Sequence, residues 1–223
     1  MVDVALAGIA LIVVAPLLAV LAIGIRLAGP GSVLYRAARV GRDSRPFTMY
    51  KLRTMRIGNP SSSVITAHGD PRVFPLGRLL RRLKLDELPQ LVNILRGEMS
   101  IVGPRPEDPS MVERFYAPFH YKSFAVLPGL TSPGSIYAYT HGEAQLDAHD
   151  AERSYGEQLL PVKMALDLVY VRNVSVGYDI ALIGRTVWTL GTALLGRRSF
   201  PLPPELPEAQ RILQQEGGAR MTA

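Results

Sequence analysis

No cysteine occurs among the 223 residues. That excludes a disulfide framework, a Cys-ligated zinc or iron–sulfur centre and a thiol nucleophile. Lysine is scarce as well: of 25 basic residues 4 are Lys and 21 are Arg, against 19 Asp and Glu, for a net charge of +6. The planar guanidinium fork suits phosphate and other anions, although codon bias accounts for an Arg excess equally well. Aromatic residues make up 7% of the chain, with one Trp. The interleaved basic and aromatic pattern of a nucleic-acid binder is therefore missing. The four histidines, His68, His120, His141 and His149, lack metal-ligand spacing tied to any motif and read as surface or core residues. Gly and Pro are plentiful, at 20 and 18, which argues against a plain helical bundle.

Charge is absent altogether from Val4 to Ile25. Such a stretch reaches about 33 Å as a helix, enough to cross a hydrocarbon core. Asp3 stands in front of it, with no Lys or Arg, and no small-residue cleavage site follows, so a signal peptide is disfavoured. Between Arg26 and Arg56 come eight basic residues and a single acid, Asp43. This flank marks the cytoplasmic side and suits anionic headgroups. Pro16, after Ala15, predicts a kink near the middle. Two readings stand: a kinked spanning helix, or a re-entrant helix whose two halves enter and leave by one face.

Farther on, Val33–Val40 and Pro46–Leu52 read as a hairpin around residues 41–44. Residues 58–69 read as a Ser/Pro/Gly loop. Helices are predicted over Leu76–Leu83, from about Asp86 to Leu95, over Glu107–Tyr116 and over Leu159–Val171. Tyr178–Leu195 is apolar but interrupted by Asp179 and Arg185, which suits an interfacial or core helix better than a second span. The stretch after Arg198, with Phe200-Pro-Leu-Pro-Pro-Glu-Leu-Pro, reads as stiff and non-globular.

Two segments carry chemistry. In Lys84-Leu85-Asp86-Glu87-Leu88-Pro89-Gln90, Pro89 fits a first helical turn, placing Asp86 at or beside an N-cap. An ionised Asp beside a second carboxylate and near Arg81, Arg82 and Lys84 can attack phosphorus or hold a divalent cation, but on spacing alone a plain helix cap is the commoner meaning of Asp-Glu at a helix start. In Gly103-Pro104-Arg105-Pro106 the two prolines stiffen the backbone that presents Arg105, a good clamp for phosphate, or simply an exposed turn.

The run Asp86-Glu87-Leu88-Pro89-Gln90-Leu91-Val92-Asn93-Ile94-Leu95-Arg96-Gly97-Glu98-Met99-Ser100-Ile101-Val102-Gly103-Pro104-Arg105-Pro106 resembles the signature of the bacterial sugar transferases, the monotopic polyprenyl-phosphate phosphoglycosyl transferases. Lys51-Leu52-Arg53-Thr54-Met55, Pro128-Gly129-Leu130-Thr131 and Asp167–Ser175 extend the likeness to roughly residues 4–195. The resemblance implies transfer of a sugar 1-phosphate from a nucleotide diphosphate sugar, usually a UDP-sugar, to undecaprenyl phosphate, with release of UMP, as the first membrane step of surface-glycan assembly. It implies Asp86 as covalent nucleophile and metal ligand, Glu87 as its acidic partner, and Mg²⁺ as cofactor. Arg81, Arg105, Lys51, Arg53 and Asp167 match substrate-site positions. Three departures stand out: Ala15 before Pro16 where a serine is usual, Leu127 where many members have Arg, and a divergent segment over 132–160.

The expected fold is α+β and mainly helical. A re-entrant membrane helix (1–28, kinked at Pro16) precedes a small cytoplasmic catalytic domain (29–198) with a β-hairpin and interfacial amphipathic helices, then a flexible Pro-rich tail (199–223). The expected location is the bacterial inner membrane, with no nucleic-acid partner. The oligomeric state is open, a homodimer included. The alternative to an enzyme is a membrane-anchored protein that binds phosphate or anionic lipid without turnover.

Overall fold

A computed structural model describes residues 2–56, 70–142, 146–147 and 150–218, with side chains as far as Glu216. His68, His149 and the loop expected over 58–69 lie outside the described residues. In chain order the elements are α1 (Val2–Leu27), β1 (Leu34–Val40), β2 (Pro46–Leu52), α2 (Pro75–Arg82), α3 (Gln90–Leu95), β3 (Ser100–Val102), α4 (Pro109–Phe115), β4 (Gly129–Thr131), α5 (Pro133–Tyr137), α6 (Ala151–Ser154), α7 (Leu160–Arg172), α8 (Val176–Leu194) and α9 (Leu206–Gly218). Two short π-helical turns, Ala138–Gly142 and Tyr155–Leu159, lie on either side of α6.

Helix α1 runs unbroken through Pro16. Asp3 in its first turn and Arg26 in its last complement the helix dipole. One side is packed along the whole length. Ala7, Ala10, Leu11 and Val14 meet Ala37, Met49, Leu91 and Ile94, and farther along Leu18, Leu21 and Ile25 meet Leu52, Phe74 and Leu80. The opposite side leaves Ile9, Ile12, Val13, Val20 and Ile23 exposed. Both ends are fastened. The Ser100 hydroxyl donates to Asp3 Oδ2 at 2.5 Å, and the Arg53 guanidinium donates to the carbonyls of Ile25 (3.1 Å) and Gly29 (2.7 Å) and also to that of Pro30. The last helical carbonyls have no partner within a helix, so a cation there satisfies them. Among the described residues α1 is the one helix long and apolar enough to cross a membrane.

Strands β1 and β2 form the expected antiparallel hairpin, Leu34 opposite Leu52 and Val40 opposite Pro46. Asp43 and Ser44 take φ of 56° and 59° at its turn, the left-handed region that short polar residues tolerate. Strands β3 and β4 form a second, parallel pair that sequence periodicity does not reveal, Ser100 opposite Gly129 and Val102 opposite Thr131.

Helix α7 is the centre of the domain: nine of its residues, Leu160 and Lys163–Tyr170, are buried. On it packs α9, through Ala209 and Ile212, at 0% and 1% exposure. Of the tail expected over 199–223, Leu206–Gly218 form this packed helix, and 219–223 lie outside the described residues. Leu206, Ala209, Ile212 and Leu213 recur at helical spacing and find an apolar surface, which outweighs the preceding prolines. In α8 the charged residues that break its apolar pattern face partners. Tyr170 donates to Asp179 Oδ1 at 2.8 Å, and Arg185 forks onto Glu205 at 2.6 and 2.8 Å. Val176, Ile180, Val187 and Leu194 are exposed instead.

Candidate active site

The segment from Lys84 to Leu95 is not one helix begun at Asp86. Lys84 adopts left-handed φ and ψ of 54° and 20°, Leu85–Glu87 form a 3₁₀ turn, and α3 starts only at Gln90, with Pro89 at its N-cap. Pro89 has no N–H to bond back to Leu85, so the chain tightens to three-residue spacing, Leu88 N–H donating to Leu85 O at 3.3 Å and Val92 N–H to Pro89 O at 3.1 Å. The expected N-cap role of Asp86 is replaced by a place inside this tight turn.

The turn buries two adjacent carboxylates, Asp86 at 6% and Glu87 at 8% exposure, and treats them differently. Glu87 receives the Arg105 fork at 2.5 and 3.1 Å, with Lys51 Nζ at 3.5 Å and Lys84 Nζ at 4.0 Å. Burial opposes its ionisation, but Arg105, then Lys51 and Lys84, hold the carboxyl well below the usual range. Asp86 moves the other way. Burial, then the Glu87 charge, raises it, while Lys51, Lys84 and Arg81 pull against them. Asp86 Oδ1 is buried with no hydrogen-bond partner. Lys51, half-buried and facing Arg105, falls to about 8 through desolvation and the Arg105 charge.

Arg81, on α2, donates Nε–H to Thr54 Oγ1 at 2.8 Å and contributes to the field at Asp86. Asp86, Glu87, Lys51, Arg81 and Arg105 thus come together, joined by Lys84. Arg53 makes its bonds elsewhere, to the carbonyls at the end of α1, where it acts as a clasp. Asp167 is wholly buried on α7. It accepts from Gly134 N–H at 2.9 Å, and burial raises it to about 6 against the pull of Lys163, Ser132 and Gly134. It organises the α5–α7 contact. Ala15 and Pro16 lie within α1.

Arg105 is held from its N-terminal side by the parallel strand pair. Gly103 N–H donates to Thr131 O at 2.9 Å and Gly129 N–H to Pro104 O at 3.0 Å. The backbones pass so closely that a Cβ on Gly129 would come within 2.1 Å of Gly103 N. This explains why the two distant motif pieces belong together. Gln90, four residues after Asp86, was missed in sequence; it is wholly buried, and neither of its amide atoms has a partner. Asn93 was missed too. It stitches α3 to β2, accepting from Tyr50 N–H at 3.1 Å and donating to Thr48 O at 2.7 Å.

Among the described residues no group of three His, Asp or Glu could hold a metal by itself. Mg²⁺ typically takes one or two protein carboxylates and completes its shell with water and substrate phosphate. The unpartnered Asp86 Oδ1, a hard oxygen beside a second carboxylate, fits that requirement.

A family model described as bacterial sugar transferase matches residues 1–193. The chain belongs to the bacterial sugar transferase family. Among its relatives, a UDP-N-acetylgalactosamine-undecaprenyl-phosphate N-acetylgalactosaminephosphotransferase of Aeromonas hydrophila is 33% identical over 198 residues, covering 87% of this chain and 44% of that protein. A UDP-glucose:undecaprenyl-phosphate glucose-1-phosphate transferase of Escherichia coli K12 is 35% identical over 189 residues, 83% of this chain and 38% of its own length. A protein of the same description from Caulobacter vibrioides is 35% identical over 193 residues, 85% of this chain and 68% of its own. The chain thus spans less than half the length of the first two relatives. The structure gathers the acidic and basic ends of the Asp86–Pro106 run at one place, Arg105 on Glu87.

Proposed function

We propose that this protein transfers a sugar 1-phosphate from a UDP-sugar to undecaprenyl phosphate, releasing UMP. The observation that carries this reading is the unequal pair: Glu87 pinned in its ionised form by three cations, Asp86 left with an unpartnered oxygen. Asp86 attacks the sugar-bearing phosphorus; the new Asp–O–P bond forms as the diphosphate P–O bond breaks and UMP leaves with the electron pair. A phosphate oxygen of undecaprenyl phosphate then attacks the same phosphorus, the Asp–O–P bond breaks, and the carboxylate is regenerated. Arg105, Lys51 and Arg81 offset the repulsion between the carboxylates and two anionic substrates. Bound Mg²⁺, held by Asp86 beside Glu87, supplies further charge neutralisation at the phosphates. One site used twice suits substrates of very different polarity.

The same reading puts the catalytic domain on the cytoplasmic face of the inner membrane. The exposed apolar side of α1 faces lipid, and the fastening of both its ends to the same domain supports a helix with both ends on that face. Because the chain contains no cysteine, a single Cys at position 2 can be labelled cleanly. It is expected to resist impermeant reagent outside intact cells, and efficient labelling refutes the topology.

Incubation with UDP-sugars, undecaprenyl phosphate and Mg²⁺ is expected to release UMP, and Asp86→Asn to release none. Full release by Asp86→Asn would remove the nucleophile assignment. No UMP with any UDP-sugar, alongside retained binding of anionic vesicles, would instead identify a binding protein.

A further inference from the structure

Behind Arg105 lie three buried polar side chains that the reaction above does not use. Glu107, two residues on, is 7% exposed; Lys163 of α7 is 1% exposed, and Tyr155 of the second π-helical turn 9%. The Tyr155 hydroxyl donates to Glu107 Oε1 at 2.5 Å, Lys163 Nζ donates to the same oxygen, and Lys163 Nζ lies 3.2 Å from the Tyr155 hydroxyl. The Glu107 carbonyl also accepts from Val40 N–H at 3.0 Å, joining the end of the hairpin to this cluster.

Compared with an apolar replacement, a buried ion pair adds little net stability, whereas losing one partner strands the other. Its use is to specify geometry. Pro106, between Arg105 and Glu107, fixes its own φ and confines Arg105 to extended backbone. A fixed Glu107 therefore passes its position to Arg105 with little play. The strand pair fixes Gly103 and Pro104 on the other side. Arg105 stands between two anchored points, its fork on Glu87.

We propose that Glu107, Lys163 and Tyr155 are positioning residues that set the Arg105 guanidinium against the Asp86–Glu87 pair. Tyr155 belongs to the segment where this chain departs from the family signature, so the unit links a divergent stretch to the signature site. The kinetic part of the test rests on the sugar-phosphate transfer reading; the labelling part does not.

In the full chain, Tyr155→Phe keeps the ring and removes the hydroxyl. Phenylglyoxal modification, followed by mass spectrometry, is expected to be about tenfold faster at Arg105 in this variant, the effect of losing a hydrogen bond to a charged group. Modification at Arg36, exposed on the hairpin, is expected to stay unchanged. Equal rates at Arg105 overturn the proposal, as does an equal acceleration at Arg36, which reports general loosening. In UMP release, Tyr155→Phe is expected to lower kcat/KM about tenfold. In an Arg105→Lys background it should change the rate less than twofold; the same loss in both backgrounds overturns the proposal. Should Tyr155→Phe fail to fold, Glu107→Gln is read by the same criteria. If the wild-type protein releases no UMP, the functional reading falls and the labelling result alone decides the positioning unit.

Discussion

Two neighbouring carboxylates acquire opposite chemistry because one backbone turn aims them at different surroundings. Glu87 meets Arg105, Lys51 and Lys84, whereas Asp86 keeps a buried oxygen without a partner. The rate of UMP release is therefore expected to follow a bell in pH. Its alkaline limb falls near pH 8: burial and Arg105 lower Lys51 from 10.5 to about 8, so its charge is present below that pH and lost as pH rises through it. The acid limb belongs to Asp86, raised above the ordinary Asp value by burial and by Glu87, so protonation removes the nucleophile earlier than in a free side chain. Lys51→Arg, which stays charged, is expected to move the alkaline limb upward and leave the acid limb in place. A limb near pH 8 that survives Lys51→Arg refutes the assignment. The types and adjacency of these residues were legible in sequence. Which carboxylate the cations hold was not, because Arg105 stands 18 positions from Glu87 and only folding decides which one it reaches. The bonds of Arg53 to the end of α1 were likewise hidden in sequence, because the carbonyls it reaches lie 24 and 28 positions away.

At the scale of elements, the long periodic helices and the hairpin were readable, and the joints were not. Pro89 was correctly seen as a helix-start residue, yet its missing N–H shifted the start of α3 to Gln90 and left Asp86 in a 3₁₀ turn. Strands β3 and β4 are three residues each, too short for a period of two to register, and they pair through glycines whose value lies in close approach. Gly129→Ala should therefore be severe. A methyl group has no space between the two backbones, and the loss is expected at about 3 kcal/mol or more in urea denaturation, with UMP release falling together with the Arg105 loop. An alanine variant of unchanged stability would mean that the strand pair does not hold that loop.

For the molecule as a whole, the decisive element is the one that sequence reading set aside. Helix α9 lies beyond the family match at residue 193 and closes the far side of α7, while Glu205 just before it ties Arg185 and Tyr178 of α8 to the same body. Ile212→Ala is expected to cost about 2–4 kcal/mol, as for other large-to-small core changes, and thermal unfolding in detergent measures it. A flexible tail would show no change. Its helical spacing was present in the sequence; the surrounding prolines obscured it.

The two fastenings of α1 close loops of very different length. Arg53 reaches Ile25 across 28 positions, whereas Ser100 reaches Asp3 across 97. Loop-closure entropy grows with the logarithm of length, so the basic clasp is the cheaper closure and the Asp3 tie the dearer. During synthesis the order is the same: Arg53 is made long before Ser100. When Arg53 can close the C-terminal clasp, Ala37 and Met49 of the hairpin are already there to meet the N-terminal half of the helix, whereas Leu91 and Ile94 are still to be made. The N-terminal half of α1 thus gains its full protein surface only once α3 and Ser100 are made.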